Sequence, residues 1–95
     1  LVDEGVALFP DAVTSRGRKH LNELQLLIGE GCRCAMFYLI QRMDANLFKP
    51  ADHIDPAYGE TLREAVQKGV EVLAYDVSID QQQIVLNDKV PYDLK

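Results

Sequence analysis

Apolar positions along this chain switch between two periods, and the switches mark its elements. Leu1-Val2-Asp3-Glu4-Gly5 reads as the end of a strand entering a turn, and Val6-Ala7-Leu8-Phe9 is a short apolar run stopped by Pro10. Together they predict a first strand over 5–9. From Arg16 onward the apolar residues fall at Leu21, Leu24, Leu27 and Ile28, helical spacing with one buried stripe. Thr14 or Ser15 is the expected cap, and Gly29 and Gly31 are the expected stop. Arg33 to Gln41 is almost unbroken apolar sequence, which predicts a central strand covered on both faces. Residues 42–54, with Pro50 inside, read as a long loop. Asp55-Pro56 is a helix-start signal, followed by Tyr58, Leu62, Ala65 and Val66 at helical spacing and ended by Lys68-Gly69. Residues 70–79 predict a third strand, 80–82 a turn, 83–86 a short hairpin partner, and 90–95 a tail.

The resulting order, β-α-β-α-β-β, predicts one α/β domain over residues 1–95, with a mainly parallel sheet flanked by helices. At 95 residues and 47% apolar content the chain has the composition of a globular domain with a thin core. A neighbouring domain or a second copy would add support, so homodimerisation is one candidate role. The first residue is Leu1, and missing upstream sequence is expected. The longest apolar run, Cys34 to Ile40, is too short to cross a bilayer, and no signal-peptide pattern is present. Cys32 and Cys34 are placed on one face of a strand about 7 Å apart, too far for an unstrained bridge. Buried thiols in a reducing, cytoplasmic compartment are the expected reading.

The net charge of −5 argues against bulk attraction to nucleic acid or anionic membrane, so any such contact needs a local basic patch. Residues 16–20, Arg16-Gly17-Arg18-Lys19-His20, supply one, and no acid occurs between Asp11 and Glu23. Cations at a helix N-terminus oppose the macrodipole. Together with the exposed N–H groups they suit a phosphate, and Gly17 would let a backbone approach closely. The competing reading is a solvated turn that pairs with acids such as Asp11.

In a parallel sheet, ligands gather beyond the carboxyl ends of the strands. Asp11 follows the first strand, and Gln41, Arg42 and Asp44 follow the second. If those strands are parallel neighbours, all of these residues and the basic turn share one edge. Asp11, Gln41 and Asp44 are candidates for ligating a divalent metal or orienting water, with turn or ion-pair roles as the alternative. His53, between Asp52 and Asp55, is a weaker base candidate, and Tyr58 and Tyr75 are expected in the core. No nucleotide-binding glycine loop and no nucleophile elbow is present.

The run Val6-Ala7-Leu8-Phe9-Pro10-Asp11-Ala12-Val13-Thr14-Ser15-Arg16-Gly17, followed by Lys19-His20-Leu21, resembles the sugar fermentation stimulation protein family. Gln41-Arg42-Met43-Asp44-Ala45, Phe48-Lys49-Pro50-Ala51, His53-Ile54-Asp55-Pro56 through Tyr58, and Gly69-Val70-Glu71-Val72-Leu73-Ala74-Tyr75 extend the likeness over nearly the whole chain. The resemblance implies a restriction-endonuclease-like core, forming the C-terminal part of a two-domain protein with an N-terminal OB-like domain. It also implies a DNA-binding protein, a candidate regulator of sugar (maltose) metabolism in a bacterium or archaeon. On that reading Arg16, Arg18, Lys19, His20 and Arg42 contact DNA, and Asp11 and Gln41 belong to a nuclease-like site. The family's Glu-x-Lys strand, expected just before Leu1, does not occur in this chain. A metal-dependent nuclease, using Mg or Mn in the full-length protein, would thus be incomplete here. A structural or dimerisation domain remains the third reading.

Overall fold

The structure, a computed structural model, describes residues 2–41 and 45–95. It runs Val2–Asp3 (β1), Val6–Phe9 (β2), Ser15–Gly29 (α1), Ala35–Ile40 (β3), Leu47–Pro50 (β4), Pro56–Gln67 (α2), Glu71–Ile79 (β5) and Ile84–Val90 (β6). The α/β class holds. The strands form two three-stranded sheets, β1-β2-β4 and β3-β5-β6. In each sheet one pair is parallel (β2 with β4, β3 with β5) and one is antiparallel (β1 with β2, β5 with β6). Among the described residues no helix is long and apolar enough to cross a membrane.

Both helices end as their glycines predict. Gly31 and Gly69 adopt φ of +91° and +113°, a region open to glycine. At the end of α1, the Cys32 N–H donates to Leu27 O and the Gly31 N–H to Ile28 O, the paired bonds of a Schellman cap. Val70 to Ala65 and Gly69 to Val66 repeat the motif after α2.

Several expectations are corrected. The predicted loop over 42–54 contains β4: the N–H groups of Asn46 and Leu47 both reach Gly5 O, which aligns this stretch beside β2 and buries Phe48. The predicted tail is bound as well. Phe48 N–H donates to Pro91 O at 2.8 Å and Asp93 N–H to Phe48 O at 2.9 Å. Arg63, whose guanidinium pairs with Asp52, also donates to Leu94 O. β6 is longer than expected because its pairing with β5 resumes beyond an irregularity at Tyr75/Val77, with Lys89 opposite Tyr75 and Val90 opposite Ala74. β3 lies at a sheet edge with one face open, whereas β5 is the central strand. The α1 stripe is narrower than its spacing implies, since Leu27 is exposed while Leu21 is buried. Cys32 and Cys34 precede β3, one exposed and one buried, both free thiols. Tyr75 is half-buried on the open face, stacked on Phe37, and is not a core residue.

One core serves both sheets and both helices. Leu21 from α1 and Tyr58, Leu62 and Ala65 from α2 meet Ala7 and Phe48 of one sheet and Tyr38, Ile40, Val72 and Ala74 of the other. At its centre the Tyr38 and Tyr58 hydroxyls are 2.6 Å apart, and the Phe9 ring lies 5.4 Å from each tyrosine ring. Burial, reinforced by the neighbouring Tyr58, pushes the Tyr38 hydroxyl far above its usual range, so the bond joins two neutral groups.

Removing one member leaves a buried hydroxyl without its partner. Tyr38→Phe should therefore cost about 1–3 kcal/mol, and Tyr38→Phe combined with Tyr58→Phe should cost less than the sum of the single changes. Urea denaturation of the three variants measures this coupling, and strictly additive losses would contradict it.

Candidate nucleic-acid interface

The first turn of α1 is built by its neighbours. Thr14 caps the helix, its Oγ1 accepting the Gly17 N–H at 3.0 Å. Its own N–H donates to Asp55 Oδ2 at 2.9 Å, while Asp55 Oδ1 caps α2 by accepting the Tyr58 N–H at 3.1 Å. One buried carboxylate thus fixes both helix starts side by side. Gly17 is required within this junction. A Cβ there would lie 2.9 Å from Thr14 Cγ2 and 3.1 Å from Tyr58 Cε2. The close approach that Gly17 permits within the fold is to Thr14 and Tyr58.

The cations project from this braced turn. Arg16, Arg18, Lys19 and His20 are all exposed. Arg16, Lys19 and His20 border a shallow surface depression with Thr14 and Glu23. Arg18 instead lies close enough to Asp55 to favour its ionised form. Among the described residues neither Arg16 nor Lys19 sits in an ion pair. No acid occupies the first turn of α1. The negative group near this helix start comes from Asp55, 41 residues away in sequence from Thr14.

Asp11 and Gln41 share a different feature. β2 and β3 are not hydrogen-bonded neighbours, which corrects the single-edge expectation. They flank a cleft of about 480 Å³ lined by Phe9, Asp11, Tyr38, Ile40, Gln41 and Phe48, among others. Asp11 and Gln41 stand just past the carboxyl ends of the two strands. Arg42 and Asp44 lie outside the described residues. His53 is apart from both places, in an exposed groove with Lys49, Asp52 and Lys95.

A hard divalent cation takes six or more oxygen ligands, usually including carboxylates. Among the described residues no group of three or more His, Cys, Asp or Glu side chains converges in that way. Asp11 and Gln41 do not make a cation site by themselves.

Asp55 was legible in the sequence as a cap for α2, but its bond to Thr14 was not. Nothing in local spacing announces a contact between residues so distant. The Asp52–Arg63 pair was likewise missed. Gly59 leaves room for it, since a Cβ there would collide with Asp52 Oδ1.

The Thr14 N–H, with help from the Tyr58 N–H and Arg18, holds the Asp55 carboxyl below its ordinary value of 3.8. A lowered folded value means that this stabilisation is complete above the ordinary value and is lost as pH falls through the folded one. Asp55→Asn should therefore be less stable at neutral pH, with a smaller further loss between pH 4 and pH 2 than the unchanged chain. Thermal melts across that range test this, and parallel stability–pH curves would contradict it.

Comparison with known proteins gives the family. The family model described as the sugar fermentation stimulation protein RE domain matches residues 1–83. A sugar fermentation stimulation protein homolog from Geobacter sulfurreducens is 50% identical over 91 residues, covering 96% of this chain and 39% of the relative. Another, from Desulfotalea psychrophila, is 58% identical over 73 residues, 77% of this chain and 31% of the relative. The solved structure of Pyrococcus furiosus SfsA in complex with Ca2+ superposes with a TM-score of 0.88 at 28% identity, covering 98% of this chain and 41% of that one. The chain thus spans about two-fifths of the length of the Geobacter and Pyrococcus proteins. On these grounds the chain belongs to the sugar fermentation stimulation protein family.

Proposed function

We propose that this domain contacts DNA through the first turn of α1, as part of a DNA-binding regulator of sugar metabolism. The observation that carries the reading is the braced, exposed set Arg16, Arg18, Lys19 and His20 at a helix N-terminus. The bonds from Thr14 and Tyr58 to Asp55 hold the turn's backbone in place before any ligand arrives. Guanidinium and ammonium groups there contact phosphates without regard to base, so the binding is non-specific. The net charge of −5 confines attraction to this local surface. Arg42 belongs to the same proposal by sequence.

A second reading is a metal-dependent nuclease completed by the rest of the full-length protein. It is favoured by Asp11 and Gln41 lining one cleft, and by the Ca2+ held in complex by the similar Pyrococcus protein. The described residues do not form the cation site, so no reaction step is assigned to them.

If three phosphates are neutralised, the log–log salt slope for duplex binding should be roughly −2.7, at about −0.9 per phosphate. Affinity should then fall about 40-fold between 50 and 200 mM salt. Replacing Arg16, Arg18 and Lys19 together by Ala should flatten that slope and leave the melting temperature nearly unchanged. Unaltered affinity in the folded triple variant would overturn the proposal. For the nuclease reading, a full-length relative is incubated with plasmid and oligonucleotide DNA in Mg2+ or Mn2+. Cleavage lost on replacing the residue aligned with Asp11 supports it, and intact DNA throughout counts against it.

A further inference from the structure

The outer face of the β2–β4 pair carries a groove that neither the DNA reading nor the nuclease reading uses. The parallel register sets Val6 beside Leu47 and Leu8 beside Lys49, on the face opposite buried Ala7 and Phe48. Val6 and Leu8 line the apolar part of the groove, and Glu4, Lys49, His53 and Lys95 supply polar groups, in a volume of about 500 Å³. That is the size of a small-molecule site.

The cations of this groove have no anion of their own. Among the described residues neither the Lys49 nor the Lys95 ammonium sits in an ion pair. His53 makes no hydrogen bond through its ring or its backbone N–H. Asp52, which also borders the groove, does not neutralise them, because Arg63 takes both of its oxygens, at 3.1 and 2.5 Å. The chain holds 15 acids against 10 lysines and arginines, so composition does not deprive these lysines of a partner. Lys49 is half-buried. A lysine in that position lays its stem along apolar surface and keeps its charged head in water.

Glu4 gives the groove a second chemistry. It adopts φ of +50° in the turn from β1 to β2, a region that non-glycine residues seldom enter. Gly5 O, accepting the Asn46 and Leu47 N–H groups, fixes that turn against the start of β4. Among the described residues the Glu4 carboxylate sits in no ion pair. An ionised carboxylate only accepts hydrogen bonds. It repels a bare phosphate or a continuous phosphate backbone and suits hydroxyl groups. A ligand with phosphate at one end and hydroxyls at the other satisfies both parts of the groove.

We propose that this groove binds a small phosphomonoester carrying several hydroxyl groups. Its phosphate sits on Lys49, Lys95 and His53, lysine serving as a point charge for phosphate. Its hydroxyls donate to Glu4, and its carbon face lies on Val6 and Leu8. The site uses none of the α1 cations and does not rest on the DNA reading.

Titration of the 95-residue chain with glucose 6-phosphate, glucose and inorganic phosphate tests it, read from the backbone amide NMR shifts of residues 4–8 and 47–53. Exposed ionic contacts each contribute little, so glucose 6-phosphate should bind with a dissociation constant on the order of 1 mM. Inorganic phosphate should bind more weakly, and glucose should cause no shift. Lys49→Met combined with His53→Ala should weaken both phosphates roughly tenfold. Lys49→Arg, which keeps the charge, should retain binding and so guards against a loss caused by misfolding. Glu4→Ala should weaken glucose 6-phosphate about fivefold and leave inorganic phosphate unchanged or tighter. Equal affinity for glucose and glucose 6-phosphate, shifts confined to residues 16–23, or no shift at roughly 20 mM ligand overturns the proposal. Loss of duplex affinity in the Lys49→Met, His53→Ala variant, with no glucose 6-phosphate binding in the unchanged chain, also overturns it and assigns the groove to a nucleic-acid backbone.

Discussion

The Asp55 carboxylate joins the starts of the two helices at the edge of the shared core. It caps α2 through the Tyr58 N–H and accepts the Thr14 N–H at the start of α1. Tyr58 then carries the linkage onward, its hydroxyl meeting that of Tyr38 on β3 inside the core. Helix start, helix start and strand are thereby tied by three consecutive hydrogen bonds. Each lies in surroundings where an unmade bond costs more than a made one contributes. Gly17 follows from this junction, because Thr14 and Tyr58 occupy the space a side chain would need.

The same junction accounts for the unusual electrostatics of α1. A helix whose first turn holds cations and no acid works against its own dipole. Asp55 supplies a negative group from a different element, favoured in its ionised form by the backbone donors and by Arg18. The fold can therefore keep Arg16, Arg18 and Lys19 where local helix energetics would place Asp or Glu. At ordinary ionic strength, fields from exposed charges fade over about 10 Å. The acidic balance of the whole chain then matters less to an approaching phosphate than the composition of this single turn.

The division into two sheets shapes the rest of the surface. β2 and β3 flank a cleft without sharing hydrogen bonds, and Asp11 and Gln41 meet there because both follow strand ends. The segment after β6 ties the sheets together, returning to β4 through Phe48, Pro91 and Asp93. Meanwhile the outer face of the β3–β5 pair leaves Phe37 and Leu39 exposed. The basic turn lies apart from the cleft, whereas the cleft and the open sheet face share Phe37 and Leu39 of β3.

Local sequence determined the elements whose signals are local. The Thr14 and Asp55 caps, Pro56 at the second helix start, the glycine stops, the apolar periods of α1 and α2 and the existence of β3 and β5 could all be read within a turn or two of chain. The family could be read as well, from the long run around Pro10-Asp11 and Arg16-Gly17. Tertiary structure alone decided the pairings: β4 beside β2, the bound C-terminal segment, β3 at an edge and Asp55 across to Thr14. A four-residue strand such as β4 carries too few positions to show a period, and a hydrogen bond between residues 41 positions apart leaves no mark in spacing. The basic cluster was visible as charge, but its rigid mounting was not. Charge is a property of residue types, whereas position comes from contacts that close only when the chain has folded.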